Sequence, residues 1–265
     1  MDAYPAELQA LTGVPEGAYR IVHYGPEPDQ FGELWLPPTG ATAPVVVLIH
    51  GGYWRARYRL DLMHALAADL VRRGYRVWNI EYRRVGTPGG GWPGTFQDVA
   101  AALDALAEHT PAASVVLVGH SAGGHLALWA AARRRLPATA PHGLGRPAVV
   151  VPDLVVSLAG VSDLTEAADR RLSDDAVVGL LGGTPAEIPD VYRLACPVRL
   201  LPLGVPQVAV HGTRDTSVPL DLTTLYAAAA GLECVPMILP GADHFDVIDP
   251  TSAAWAAVVT CLPSP

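Results

Sequence analysis

The chain has 265 residues, of which 50% are hydrophobic and 17% charged, a balance that favours a large buried core over disorder. That length suits one α/β domain, expected over residues 1–265. A formal net charge of −8 offers no attraction to phosphate backbones or anionic lipid, so the expected partner is a small-molecule substrate rather than nucleic acid or a membrane.

Residues 1–10 lack the basic and apolar sequence of a signal peptide, and the apolar run 45–49 is far too short to span a bilayer. A soluble, cytoplasmic protein is expected. Segments 19–24 and 32–36 flank the turn-prone 25–29 and predict an antiparallel pair at a sheet edge. Run 45–49 is apolar throughout, as a buried parallel strand is. It leads directly into His50-Gly51-Gly52-Tyr53-Trp54. Acyl transfer builds negative charge on a carbonyl oxygen, and backbone N–H groups in a glycine-rich turn stabilise that charge without reorganising. Gly52 and Tyr53 are the candidate donors, and His50 is expected to brace the loop.

A helical run over 60–73 and a strand over 76–80 follow, then a helix over 98–108 and a strand over 115–118. Gly119-His120-Ser121-Ala122-Gly123 comes next and opens a helical run over 122–135. Strand, G-x-S-x-G and helix in that order are the signature of a nucleophile elbow. Ser121 is the candidate nucleophile, and the N–H of Ala122 is a third candidate oxyanion donor. Arg133, Arg134 and Arg135 end the run and are expected to form a solvated face favoured by the helix dipole.

After the Pro/Gly-rich 137–152 and a strand over 154–158, the region 162–206 breaks the alternation and reads as a small cap-like insertion or an ordinary surface connection. A strand over 207–210 precedes His211-Gly212-Thr213-Arg214-Asp215, a helix spans 219–230, and a strand over 235–239 precedes Gly241-Ala242-Asp243-His244-Phe245. A serine needs a base, and the base needs an acid to orient it. His244 is the candidate base and Asp215 the candidate acid. Asp163 is an alternative acid, whereas Asp243, Asp246 and Asp249 read as turn or helix formers. Asp249 and Pro250 are expected to open a last helix through 262.

Six parallel-type strands and the edge pair add up to a doubly wound, mostly parallel, eight-stranded α/β sheet with helices on both faces. No H-E-x-x-H occurs and the histidine spacing fits no metal site, so none is expected, nor is a cofactor. Cys196, Cys234 and Cys261 follow no paired motif and read as small buried hydrophobes.

The order Ser121, Asp215, His244 is that of the α/β-hydrolase fold. With the elbow and the glycine-rich loop, the chain resembles the α/β-hydrolase superfamily over nearly its whole length. His50-Gly51-Gly52-Tyr53-Trp54, Glu81-Tyr82-Arg83-Arg84 and Gly119 through Leu126 make it similar to the branch of kynurenine formamidases and related carboxylesterases; Trp92-Pro93 also looks like a family feature. The resemblance implies hydrolysis of a small ester or an aryl formamide, with general carboxylesterase activity as the alternative. A pocket lined by Tyr53 and Trp54 would suit an aromatic substrate, although Trp54 reads equally as packing beneath its loop. The non-enzyme alternative is a small-molecule receptor on a hydrolase scaffold.

Overall fold

Strands alternate with helices along the chain, and hydrogen bonding gathers eight strands into one sheet in the order β1-β2-β4-β3-β5-β6-β7-β8. The computed structural model describes residues 17–38, 43–110 and 114–265, so residues 1–10, read above for a leader, lie outside it. The strands are β1 (Tyr19–His23), β2 (Phe31–Trp35), β3 (Val45–Ile49), β4 (Arg76–Ile80), β5 (Val115–His120), β6 (Leu154–Leu158), β7 (Gln207–Gly212) and β8 (Cys234–Leu239). β2 pairs antiparallel with β1 and β4, and the remaining pairs are parallel, which is the expected fold with its edge hairpin.

The helices longer than one turn are α1 (His64–Arg72), α2 (Gly94–Asp104), α3 (Ala122–Ala131), α4 (Leu164–Asp169), α5 (Leu172–Leu181), α6 (Pro189–Ala195), α7 (Leu220–Ala230) and α8 (Ala253–Val259). They cover both faces because strand side chains alternate. Val45, Val47 and Ile49 of β3 join Phe96, Leu126, Trp129 and Leu222 in one core, while Val46 and Leu48 join Leu66, Leu70, Trp255 and Val258 in the other. Full burial of each such Val or Leu contributes about 1.5–3 kcal/mol, so the centre of the sheet is a stiff platform. Among the described residues no helix is long and apolar enough to cross a membrane.

Four sequence expectations need correcting. α2 begins at Gly94 rather than 98, because Thr95 fixes its first turn by accepting from Gly91 N and donating to Arg83 O. The last helix begins at Ala253, not at Asp249 and Pro250: Ser252 is the cap, accepting from Trp255 N at 2.9 Å, and Asp249 is spent on Thr251 N. Arg133 is no part of a solvated face. It is 5% exposed and makes a two-pronged pair with Asp104 at 3.0 and 2.7 Å, leaving Arg134 and Arg135 outside. Cys196 and Cys234 are buried, but Cys261 is only half-buried.

Candidate active site

β5 delivers His120 to the carboxyl edge of the sheet, and α3 starts two residues later. Between them Ser121 takes φ 55° and ψ −117°, a backbone state that costs a residue with a Cβ and persists only where its surroundings impose it. The glycine at 123 is one such imposition, since a Cβ there would lie 2.0 Å from the Ile49 carbonyl oxygen. Only a bare backbone lets the elbow press against the end of β3. Ser121 N–H is held by Leu158 O at 2.8 Å. Ala122 is the first residue of α3, so its N–H has no partner within the helix and stays available to a ligand.

The loop after β3 comes up against this elbow. A Cβ on Gly51 would stand 3.0 Å from Ser121 Cβ and 2.9 Å from His120 O, so glycine there permits the approach. The next three residues all have positive φ: Gly52 at 99°, Tyr53 at 48° and Trp54 at 57°. Neither Gly52 N nor Tyr53 N makes a backbone hydrogen bond among the described residues, which leaves both free to serve an oxyanion. The left-handed run also separates the two aromatics. Tyr53 faces the cavity and donates its hydroxyl to Ser217 O at 2.6 Å, whereas Trp54 is fully buried with its ring edge-on to His125 at 5.2 Å. The expectation that Trp54 lines a substrate pocket is therefore corrected: it packs beneath the loop.

Asp215 lies just beyond β7 and accepts from four directions. His244 Nδ1 stands 2.6 Å from its Oδ2 and His211 Nε2 3.1 Å, while Ser217 N and Val218 N each reach Oδ1 at 2.8 Å. Burial pushes this carboxyl up, but the bonds from His211 and His244 outweigh it and hold Asp215 well below the usual carboxylate range. It is ionised and acceptor-only, so His244 must carry its proton on Nδ1, leaving Nε2 as the basic nitrogen. Asp163, the alternative acid, caps α4 by accepting from Thr165 N and Glu166 N, and Asp243 is spent on Phe245 N and Asp246 N.

His244 and Ser121 border one cavity of about 460 Å³, a volume typical of small-molecule sites. Among the described residues no hydrogen bond yet links Ser121 Oγ to the imidazole; that contact often tightens only when substrate is present. Aromatic walls come from Tyr53, Tyr58 and Phe245, and charge at the rim from Arg57, Arg171 and Asp174.

Two histidines escaped the sequence reading. His211 Nε2 is shared between Val218 O at 3.0 Å and Asp215 Oδ2 at 3.1 Å, and its other nitrogen meets Thr223 Oγ1 at 2.7 Å. His120 Nε2 donates to the His244 carbonyl oxygen at 2.9 Å and its ring lies 4.6 Å from that of His244. Both stand inside singled-out motifs, which is the signal the chain offers. His50, as expected, braces its loop, with both ring nitrogens taken by Gly51 O and Glu81.

Burial, reinforced by the neighbouring His244, lowers His120 from 6.5 to about 3, and burial lowers His125 from 6.5 to about 4. Both are neutral when folded and bind protons on unfolding, so stability is complete above pH 6.5 and drains away toward pH 4. The Tm should fall steadily over that window, by an amount corresponding to a few kcal/mol at its acid end. A Tm that stays level from pH 7 to 4.5 would contradict this.

The BD-FAE family model matches residues 33–229. Esterase LipC of Mycobacterium tuberculosis is 27% identical over 249 residues, covering 87% of this chain and 60% of its own. The chain thus spans about 60% of that relative's length. Kynurenine formamidase of Drosophila melanogaster is 24% identical over 249 residues, 87% of this chain and 76% of its own. The crystal structure of esterase B from Lactobacillus rhamnosis superposes with a TM-score of 0.75 at 25% identity, covering 97% of this chain and 88% of that one.

Proposed function

The chain belongs to the BD-FAE family, and from that premise we propose that it is a serine carboxylesterase acting on short acyl esters through Ser121, His244 and Asp215. The observation that carries this reading is the 2.6 Å contact of His244 with a buried, ionised Asp215 on the cavity that also holds Ser121.

In this mechanism His244 Nε2 takes the Ser121 proton as the oxygen attacks the acyl carbon. The carbonyl oxygen becomes an oxyanion and is received by the N–H groups of Gly52, Tyr53 and Ala122. Asp215 stabilises the imidazolium, which returns its proton to the departing alcohol. Water then attacks the acyl-enzyme by the same route. Residues 162–206 act as a cap, a role supported by Arg171, Ser173 and Asp174 on the cavity wall. Arg55 ties that wall to the oxyanion loop by donating to Ser173 O.

Aryl formamide hydrolysis is the second reading, favoured by the aromatic walls and by the likeness to kynurenine formamidase. Comparing kcat/KM for p-nitrophenyl acetate and N-formylkynurenine decides between them, because the ratio measures differential transition-state binding. The ester is expected to be preferred by about tenfold or more. A preference for the formamide would replace the first reading with the second.

A further inference from the structure

Glu81-Tyr82-Arg83-Arg84 follows β4 and supplies no member of the triad, yet Glu81, Tyr82 and Arg84 are at most 1% exposed. Buried charge is costly unless it is matched, and here most of the matches lead to the loop that begins at His50. Glu81 Oε1 accepts from His50 Nε2 at 2.9 Å and from Tyr82 N at 3.0 Å. Its Oε2 accepts from Leu60 N at 3.3 Å and pairs with Arg84 Nη1 at 3.2 Å, with Arg59 Nε at 3.5 Å. Tyr82 lays its ring on His50 at 4.3 Å and donates its hydroxyl to His50 O at 2.8 Å. Arg84 donates to Tyr58 O at 2.7 Å and is held from behind by Asp29 at 2.8 Å. The loop is therefore gripped at residue 50, at 58 and at 60.

We infer that Glu81 is a positioning residue that holds the oxyanion loop in its working conformation. Gly52, Tyr53 and Trp54 take three consecutive left-handed conformations, two of them with side chains, and such strain persists only where the surroundings over-determine it. The Glu81 cluster supplies that restraint from the side away from substrate. Its chemistry is specific, since every group around the carboxylate is a donor and a carboxylate accepts on both oxygens. Burial pushes the Glu81 carboxyl up, but His50, Arg84 and Tyr82 N outweigh it and hold the group below the usual range, so it remains charged. A glutamine has the same shape but turns an NH₂ toward at least one set of these donors. The loop would then relax and its amides would leave the line of the developing charge.

The inference rests on the serine hydrolase reading, and the two are separable by experiment. Wild type, Glu81→Gln and Tyr82→Phe are compared by the rate of Ser121 labelling with a fluorophosphonate, and by kcat and KM for p-nitrophenyl acetate, all per folded molecule. Glu81→Gln is expected to slow labelling and to lower kcat by about tenfold or more, with KM within about twofold, as loss of transition-state stabilisation requires. Tyr82→Phe keeps the stacked ring and should lose a smaller factor, about threefold. If Glu81→Gln lowers only Tm, with labelling and kcat at wild-type values, the positioning role is overturned. Should Glu81→Gln not fold, Tyr82→Phe decides, and wild-type rates in that variant overturn the role as well. Wild type that does not label at Ser121 overturns the hydrolase reading and the inference with it.

Discussion

Ser121→Ala is expected to lower kcat for short acyl esters by about five to six powers of ten, leaving only what the oxyanion donors and binding provide. The fold should be untouched. Ser121 Oγ makes no hydrogen bond among the described residues, and alanine fits wherever serine does, so the Tm should stay within about 2 °C. Fluorophosphonate labelling should vanish in parallel with turnover. Retention of even a hundredth of wild-type kcat in this variant would show that another group attacks the ester.

Asp215→Asn is the second large effect, about 10⁴ in kcat. Four donors converge on this side chain: the rings of His244 and His211 and the amides of Ser217 and Val218. An asparagine can accept on one atom only. If its oxygen stays with the Ser217 and Val218 amides, its NH₂ faces His244 Nδ1, which must then accept. The proton moves to Nε2, the nitrogen that has to be free to take the Ser121 proton. The base is thus present but in the wrong tautomer, and KM should change far less than kcat. A kcat within tenfold of wild type would mean that Asp215 merely supports the loop.

Much of the fold and much of the candidate site could be read from the sequence because those parts depend on backbone requirements and nearest neighbours. A strand of five buried apolar residues announces itself, and an elbow whose Gly123 can carry no Cβ has few alternatives. Asp215 and His244 were accessible as candidates because each lies in the short segment just beyond a strand. What escaped depends on partners far apart in the chain. Arg133 reads as a surface residue until Asp104, on another helix, is brought beside it. His120 gains its meaning from a carbonyl 124 residues away. His211 is the local exception: Asp215 and Thr223 are near it in the chain, but only the fold of the turn after β7 brings them to its ring. For Trp54 the sequence leaves pocket wall and packing beneath the loop equally open for a different reason: no periodicity reveals three left-handed residues in a row, and that turn decides which of two adjacent aromatics faces the cavity.

β3 and β5 lie side by side at the middle of the sheet, and every residue of both is buried. One strand leads to the amides proposed to receive the oxyanion, the other to the candidate nucleophile, and a carbonyl at the end of the first rests on the helix that follows the second. The segments that carry the candidate attacking atom and receiving amides consequently start from one frame of reference, the ladder between β3 and β5, to which the buried Glu81 cluster is proposed to fasten the loop. Their spacing is a property of the scaffold. Evolution is left to vary only the walls around it, which hang from longer connections, so new specificities can be explored without disturbing the alignment on which turnover would depend.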